Sequence, residues 1–227
     1  MSQLRLVVAI PAMFSLFVAV SATGSRSGVK SIRALSQTSS QLRLVGHSSL
    51  DGQELADIWV HGQFAYLGSR PAGGGIKVVD VSDPANPRLI SSLISFATSE
   101  YEDVMVIRAD TAAFHGDLLV AGLQARGSNA NSGARGAQFW DVTDPLEPVA
   151  LGFFDTGSLT GGVHELHLFQ RDNHVFALLA VPNSEARNAG GDVRVIDATD
   201  PRKPVQIADW GVRARLGLTL NSGIFCH

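Results

Sequence analysis

One segment occurs three times in this chain, and its recurrence constrains the fold more than any other feature. "IKVVDVSDPANPRLIS" begins at Ile76, "AQFWDVTDPLEPVALG" at Ala137 and "VRVIDATDPRKPVQIA" at Val193. In each copy an apolar run ends in an aspartate, and an Asp-Pro pair follows shortly afterwards. The copies stand about 61 and about 56 residues apart, which indicates a molecule built from stacked copies of one supersecondary unit.

Each unit has the sequence pattern of four short strands. In the first unit the strand candidates are "LADIWV" (Leu55–Val60), "QFAYLGS" (Gln63–Ser69), "IKVVDV" (Ile76–Val81) and "RLISSL" (Arg88–Leu93). The second unit repeats this order, with a strand before His115-Gly116 followed by "DLLVAGL", "AQFWDV" and "PVALGFF"; the third has "VHELHLF", "HVFALLAV", "VRVIDA" and "VQIADW". Four antiparallel strands joined by tight turns form one blade of a β-propeller, so the predicted fold is an all-β propeller of four-stranded blades.

The repeated aspartates have a local structural explanation. Asp80, Asp141 and Asp197 end apolar strands, where a carboxylate can accept hydrogen bonds from backbone N–H groups of the following turn. The second Asp of each copy can start an Asx-turn, and the proline after it has the φ angle of a type I turn. We therefore expect these three aspartates to form turns rather than to take part in catalysis.

The three copies resemble the LVIVD repeat, in which an apolar run ending in Val-Asp-Val-Ser-Asp-Pro closes one strand of a blade. "AYLGS" in the first unit is similar to that family's Ala-Tyr-Val strand, and the resemblance extends over Leu42–Trp210. The second unit departs from it, with "DLLVAGL" in place of the Ala-Tyr pattern and Trp140 in place of Val or Ile. The resemblance implies a β-propeller in exported or cell-surface bacterial and archaeal proteins, and it transfers no catalytic residue.

The count of strands predicts an incomplete ring. "LRLVG" (Leu42–Gly46) matches the outer strands "PRLIS" and "PVALG", so one orphan outer strand precedes three complete blades. Propellers close with at least four blades. A fragment of a longer protein is the favoured explanation, because the chain ends on "IFCH" without a polar cap. Half of a homodimeric ring, an open array and a four-bladed ring closed by irregular strands are the alternatives.

The N-terminal residues have the pattern of a signal peptide, which predicts a periplasmic, extracellular or cell-surface location. Arg5 precedes the apolar run Leu6–Val20, and Val20-Ser21-Ala22 supplies small residues for cleavage. The alternative is an uncleaved anchor, but Pro11 interrupts a run shorter than the ~20 residues of a spanning helix. The predicted domains are therefore a signal peptide (1–22), a flexible lead-in (23–41) and a partial propeller (42–227).

Charge and loop composition limit the possible partners. The net charge is −3 and no run of Lys or Arg occurs, so nucleic acid is not an expected partner. The loops "RPAGGG", "QARGSNANSGARG" and "PNSEARNAGG" occupy the same place in each unit and predict a binding face. Arg126, Arg135 and Arg187 on these loops are candidates for binding an acidic protein or a polysaccharide.

The segment "GGVHELHLF" (Gly161–Phe169) contains the most suggestive polar residues. His164, Glu165 and His167 lie on a predicted strand, where the two histidines face opposite sides and cannot bind one metal without a bulge. Only two residues separate them, so this is not the helical H-E-x-x-H zinc motif.

By alignment of the repeats, Glu165 corresponds to Asp57, and Asp110 or Thr111 is the expected counterpart in the second unit. Such residues begin the innermost strands, whose ends line the channel of a propeller. A ring of carboxylates there, with His164 at its rim, suits a divalent cation or a polar ligand. The alternative is that these carboxylates accept hydrogen bonds from backbone amides.

Two functions from different classes follow. The leading hypothesis is an exported, non-enzymatic propeller without a cofactor, which acts as a scaffold for protein or polysaccharide contacts. The alternative is a metal-dependent hydrolase or oxidoreductase that uses Asp57, His164 and Glu165, completed by residues beyond position 227. Membrane contact is expected only through an uncleaved signal segment.

Overall fold

The computed structural model describes residues 42–70, 72–125 and 132–217, together with the backbone of two short strands near the N-terminus. These are β1 (Val8–Ala9) and β2 (Phe17–Val18), which pair antiparallel. The predicted lead-in (23–41), Arg126 and the "IFCH" terminus lie outside the described residues. Within the described part, no helix is long and apolar enough to cross a membrane.

The described chain forms three four-stranded antiparallel sheets, each with its strands in sequence order, so the predicted all-β blades are confirmed. Blade 1 consists of β3 (Leu55–His61), β4 (Phe64–Ser69), β5 (Ile76–Asp80) and β6 (Arg88–Leu93). Blade 2 consists of β7 (Glu100–Asp110), β8 (His115–Gln124), β9 (Gly136–Asp141) and β10 (Val149–Asp155). Blade 3 consists of β11 (Glu165–Arg171), β12 (His174–Ala180), β13 (Val193–Asp197) and β14 (Val205–Trp210). Short helical segments occur at Leu50–Gly52, Glu185–Arg187 and α1 (Val212–Leu216).

The first turn of blade 2 differs from the prediction. His115 and Gly116 lie inside β8, and the turn occupies 111–114. Thr111 closes this turn, because its backbone N–H donates to the carbonyl of Phe114 at 2.8 Å and its hydroxyl accepts the N–H of Phe114 at 3.0 Å. A threonine that bonds the backbone of a residue three positions later offers an alternative to strand pairing. The strand β7 therefore ends before Thr111, and the turn precedes His115.

The blades stack through apolar faces, and the middle blade is buried on both sides. We call the face of a blade that points to the next blade in the chain its leading face, and the opposite side its trailing face. The leading face of blade 1 packs on the trailing face of blade 2 through a cluster that includes Tyr66, Val78 and Leu119. Val120 and Phe139 pack in the same way against blade 3. Burial on both sides explains why β8 lacks the polar alternation of a half-exposed strand.

The repeated Asp-Pro segments form the predicted turns. The first aspartate of each copy accepts a backbone N–H two residues later at 2.9 Å: Ser82 to Asp80, Thr143 to Asp141 and Thr199 to Asp197. The second aspartate does the same at 2.9–3.2 Å: Ala85 to Asp83, Leu146 to Asp144 and Arg202 to Asp200. Their structural role is confirmed, because each carboxylate is bonded within its own turn.

Residues 42–49 form no regular strand, yet they lie in a defined place beside blade 1. Gly46 approaches the carbonyl of Pro84 so closely that a Cβ atom would overlap it. Gly152 of β10 approaches the carbonyl of Pro201 in blade 3 in the same manner. The hydroxyl of Ser91 on β6 donates to the carbonyl of Pro145 at 2.9 Å. The segment 42–46 thus contacts blade 1 as each outer strand contacts the following blade.

Candidate functional site

The innermost strands of the three blades begin with one shared pattern, an apolar residue, a variable residue, an acid and an apolar residue. The copies are "LADI" from Leu55, "YEDV" from Tyr101 and "VHEL" from Val163. The acids are Asp57, Asp103 and Glu165. All three lie where β3, β7 and β11 begin, at the edge of the blades that also carries the glycine-containing loops.

The counterpart predicted in the second unit was wrong. Asp110 lies at the far end of β7, where its carboxylate contacts the ring of His115 at 2.5 Å. The error arises because β7 has 11 residues whereas β3 has 7. Counting back from the hairpin therefore misses Asp103, whereas aligning the start of each inner strand finds it.

Asp103 links blade 2 to both neighbouring blades. Its Oδ2 accepts the backbone N–H of Leu166 in blade 3 at 2.5 Å, and its carboxyl shares a hydrogen bond with Asp57 of blade 1. Burial, followed by the hydrogen bond and the negative charge of Asp57, raises the pKa of Asp103 to about 9. The neutral form of Asp103 is therefore favoured at neutral pH, and its carboxyl is placed to hydrogen-bond that of Asp57.

A break in the strand pairing directs these side chains. The register of β7 against β8 shifts between Tyr101 and Asp103, and that of β3 against β4 shifts between Leu55 and Ile58. A bulge of this kind re-aims the side chains of the strand that carries the extra residue. It allows Glu102, as well as Asp103, to lie buried at the start of β7.

Glu102 joins residues from all three blades. Its Oε1 lies 3.2 Å from Nη2 of Arg70 in blade 1 and 3.7 Å from Nδ1 of His164 in blade 3. The Glu102 side chain is 6% exposed and that of Arg70 is 50% exposed. Among the described residues, Oε2 of Glu102 has no hydrogen-bond partner. Sequence reasoning found His164 but missed Arg70, which lies outside the shared pattern, and Glu102, which occupies its variable position.

The two histidines of "VHELHL" lie on opposite sides of blade 3. His164 faces blade 2 and Glu102. His167 is exposed on the leading face of β11, with its ring 5.9 Å from that of Phe169. No group of three or more His, Cys, Asp or Glu side chains in the described ranges is placed to hold a metal ion.

The loop arginines differ in how firmly they are held. Nη1 of Arg135 donates to the carbonyl of Gly133 at 3.2 Å, and the Arg135 side chain is partly buried. Arg187 ends the short helical segment of the β12–β13 loop and is exposed, with one hydrogen bond to the carbonyl of Leu159 at 3.3 Å. Of these two, Arg187 presents the more accessible guanidinium.

Residues 54–94 match the LVIVD repeat family. Blade 1 thus matches the LVIVD repeat. The match covers its four strands, which confirms the predicted resemblance in that unit, and blades 2 and 3 repeat its strand order and its Asp-Pro turn.

Comparison of whole chains adds a similarity to a solved structure. No curated protein matches the chain. Among solved structures the chain is similar to the GH32 beta-fructofuranosidase BmSUC1 of Bombyx mori, with 12% sequence identity and a TM-score of 0.44. That alignment covers 72% of this chain and 39% of the other, so the chain spans well under half of that protein.

Proposed function

We propose that the protein is an exported, non-enzymatic LVIVD-repeat propeller that acts as a scaffold for a protein or polysaccharide at the cell surface. The observation that carries this proposal is the use of the inner-strand carboxyls. Asp103 accepts the backbone N–H of Leu166 at 2.5 Å and is hydrogen-bonded to Asp57. Hard cations prefer ionised carboxylate oxygens, so the neutral, hydrogen-bonded carboxyl of Asp103 serves blade stacking better than metal binding.

The loop edge of the blades is the surface we assign to binding. The β4–β5, β8–β9 and β12–β13 loops join equivalent strands, so they lie at the same edge of the blades. Surface loops held on a rigid scaffold are common sites of binding residues. Arg187 adds an exposed positive charge there, which suits carboxylate groups of an acidic polysaccharide or protein.

The binding proposal is tested by titrating polygalacturonate, as an acidic polysaccharide, into the purified chain and its variants. We expect Arg187→Ala to weaken binding several-fold. Arg202→Ala is the matched control, because Arg202 is also exposed and also donates to one backbone carbonyl, that of Ala113 at 3.0 Å. Arg202 lies in an Asp-Pro turn at the opposite edge. Equal affinity for both variants, or no binding by the parent chain, contradicts the proposal.

Export and the absence of metal chemistry have separate tests. Secretion of the chain from a bacterial host, followed by N-terminal sequencing, is expected to give a mature protein that begins at Thr23. Elemental analysis of the purified protein is expected to show no stoichiometric divalent metal. A bound metal that is lost in Glu165→Ala would overturn the non-enzymatic assignment.

A further inference from the structure

Among the described residues, Glu102 uses only one of its two carboxyl oxygens. Its side chain is 6% exposed, and Oε1 accepts a hydrogen bond from Nη2 of Arg70 at 3.2 Å. Nδ1 of His164 lies 3.7 Å from the same oxygen, beyond the range of an N–H···O hydrogen bond. Oε2 is buried and has no hydrogen-bond partner within the described ranges. Since buried polar groups are normally hydrogen-bonded, Oε2 is an acceptor suited to a donor from a ligand.

Arg70 is held less firmly than an arginine that stabilises the fold. Arg194 on β13 is 6% exposed, and its guanidinium donates to four acceptors, which are the carbonyls of Gly191 and Ala189, Oγ of Ser184 and Oε1 of Gln206. The Arg70 side chain is 50% exposed, and its one side-chain hydrogen bond to the described residues goes to Glu102. Loss of Arg70 alone would leave a buried carboxylate unpaired, which is strongly unfavourable. Exchange of Arg70 for another cation avoids this penalty.

The surroundings of Glu102 favour a cation over a neutral ligand. Burial raises the pKa of the adjacent Asp103, and the negative charges of Asp57 and Glu165 raise it further. Asp57 and Glu165 lie where the inner strands of the two neighbouring blades begin. A cation that replaced Arg70 would meet the same negative charges, whereas a neutral hydroxyl would leave Glu102 without a counter-charge.

A second buried acceptor lies at the same edge of blade 2. Gln124 ends β8, pairs with Glu100 at the start of β7 and is 3% exposed. In the part of the chain that the structure describes, its Oε1 has no hydrogen-bond partner. Glu100 stands two residues before Glu102. A ligand with several N–H donors therefore suits this edge better than a ligand with a single donor.

A guanidinium matches Glu102 better than an ammonium does. The planar guanidinium can donate two parallel hydrogen bonds, one to each oxygen of a carboxylate. Arg70 makes only one, and its length of 3.2 Å exceeds the about 2.7–2.9 Å of charge-assisted bonds. An ammonium is more strongly hydrated than a guanidinium and therefore loses more on entering a buried site. A free amino acid would also bring an α-carboxylate towards Asp57 and Glu165, whereas an arginine within a polypeptide would not.

We propose that Glu102 binds the guanidinium of an arginine side chain from a partner polypeptide, and that Arg70 occupies part of this position until the partner displaces it. The incoming guanidinium donates to both oxygens of Glu102, while the Arg70 side chain turns to solvent. Arg70 is thus a competitor built into the site. The proposal does not depend on the acidic ligand assigned to Arg187, which lies on another loop and bonds the carbonyl of Leu159.

The probe is N-acetylarginine amide, which carries the arginine side chain without charged termini. NMR titration of the full chain at neutral pH is expected to show saturable shifts of the amides at the start of β7, with one probe bound per chain. N-acetylcitrulline amide, the neutral counterpart, should not bind. Glu102→Gln keeps the shape of the side chain and removes its charge, so we expect the affinity to fall roughly tenfold or more.

Arg70→Ala separates a binding site from an ion pair that only stabilises the fold. The variant removes the competitor and leaves Glu102 unpaired, so we expect N-acetylarginine amide to bind several-fold more tightly. Arg88→Ala is the matched control. Arg88 is also exposed and also pairs with one carboxylate, that of Asp80 at 2.7 Å, but it lies at the turn edge. Its removal should leave the affinity unchanged.

Three results would overturn the proposal: no saturable binding by the parent chain or by Arg70→Ala, equal binding of the citrulline compound, or weaker binding by Arg70→Ala. Tighter binding of free L-arginine than of the blocked amide would overturn the partner polypeptide, because the ligand would then be an amino acid. Arg187→Ala should leave the affinity for N-acetylarginine amide unchanged, so this proposal and the loop-edge proposal can fail separately.

Discussion

The same residue type has opposite acid–base properties at the two edges of a blade, and the surroundings of the carboxyl explain why. At the turn edge, hydrogen bonds from Ser82 lower the pKa of Asp80 to about 2, with a further contribution from Arg88, 2.7 Å away. At the loop edge, burial and the neighbouring Asp57 raise the pKa of Asp103 to about 9. Asp80 is therefore an anion at neutral pH, whereas Asp103 is a hydrogen-bond donor.

Asp103→Asn tests whether the buried carboxyl is neutral in the folded protein. The folded pKa of about 9 lies above the ~4 of an unfolded aspartate, so its stabilising contribution is complete below pH ~4 and is lost as the pH rises towards 9. Asparagine keeps the donor and the acceptor without ionising. We expect the variant to lose this pH dependence, a slope of roughly 1 kcal/mol per pH unit.

Urea unfolding of both proteins at pH 5, 7 and 9 measures this difference. The variant should gain stability relative to the parent chain as the pH rises. Parallel stability curves for the two proteins would show that Asp103 is ionised in the folded state.

At the scale of strands and turns, hydrogen bonds within the turns determine where strands end. Close contacts between an outer strand and the next turn determine how near the blades lie. Thr111 closes the first turn of blade 2, and at the other end of β7 a register shift between Tyr101 and Asp103 sets the direction of the Asp103 side chain. A Cβ atom at Gly46 or Gly152 would overlap a proline carbonyl of the adjacent turn, whereas Ser91 at the equivalent place in β6 donates a hydrogen bond to the carbonyl of Pro145. Element boundaries therefore follow from single residues that the apolar pattern does not reveal.

Gly152→Ala tests the close approach between blades 2 and 3. A Cβ atom there would overlap the carbonyl of Pro201, so we expect the free energy of unfolding to fall by roughly 1–3 kcal/mol. Gly161→Ala is the control, because a Cβ atom at Gly161 meets nothing within 4 Å. Chemical denaturation measures the free energy of unfolding of both variants. Equal values for the two would contradict the close packing at Gly152.

The sequence predicted the strands well and the site only in part. All four strands of each blade were predictable, because Asp-Pro turns and apolar runs recur in every unit. Asp57 and Glu165 were predictable from the same recurrence. Arg70 and Glu102 were not, because their contact joins residues of different blades and depends on a bulge that alternation does not reveal.

On the scale of the whole described fold, blade 1 and blade 3 each pack against blade 2 through an apolar cluster. Blade 2 is buried on both faces, and six successive residues of β8, Leu118–Leu123, are buried. Stability in such an array is close to a sum of blade and interface contributions. The central blade should therefore be the most resistant to opening.

Phe139→Ala tests how strongly the interface between blades 2 and 3 couples them. Phe139 is fully buried in that interface, and we expect truncation to cost about 3–5 kcal/mol. Hydrogen exchange should then quicken in β12 as well as in β8. Faster exchange confined to blade 2 would show that the blades unfold independently.

The hydrogen bonds between inner strands end on backbone atoms, since Trp59 donates to the carbonyl of Val106 and Asp103 accepts the N–H of Leu166. Every residue type except proline supplies both groups. A mutation in one blade therefore leaves the contact offered by its neighbour intact, and the repeats are free to diverge. Trp59 and Met105 show this tolerance, since two chemically different side chains at one position of the duplicated unit both contact the backbone of the next inner strand. A gene that gains or loses a unit would encode blades that still recognise one another.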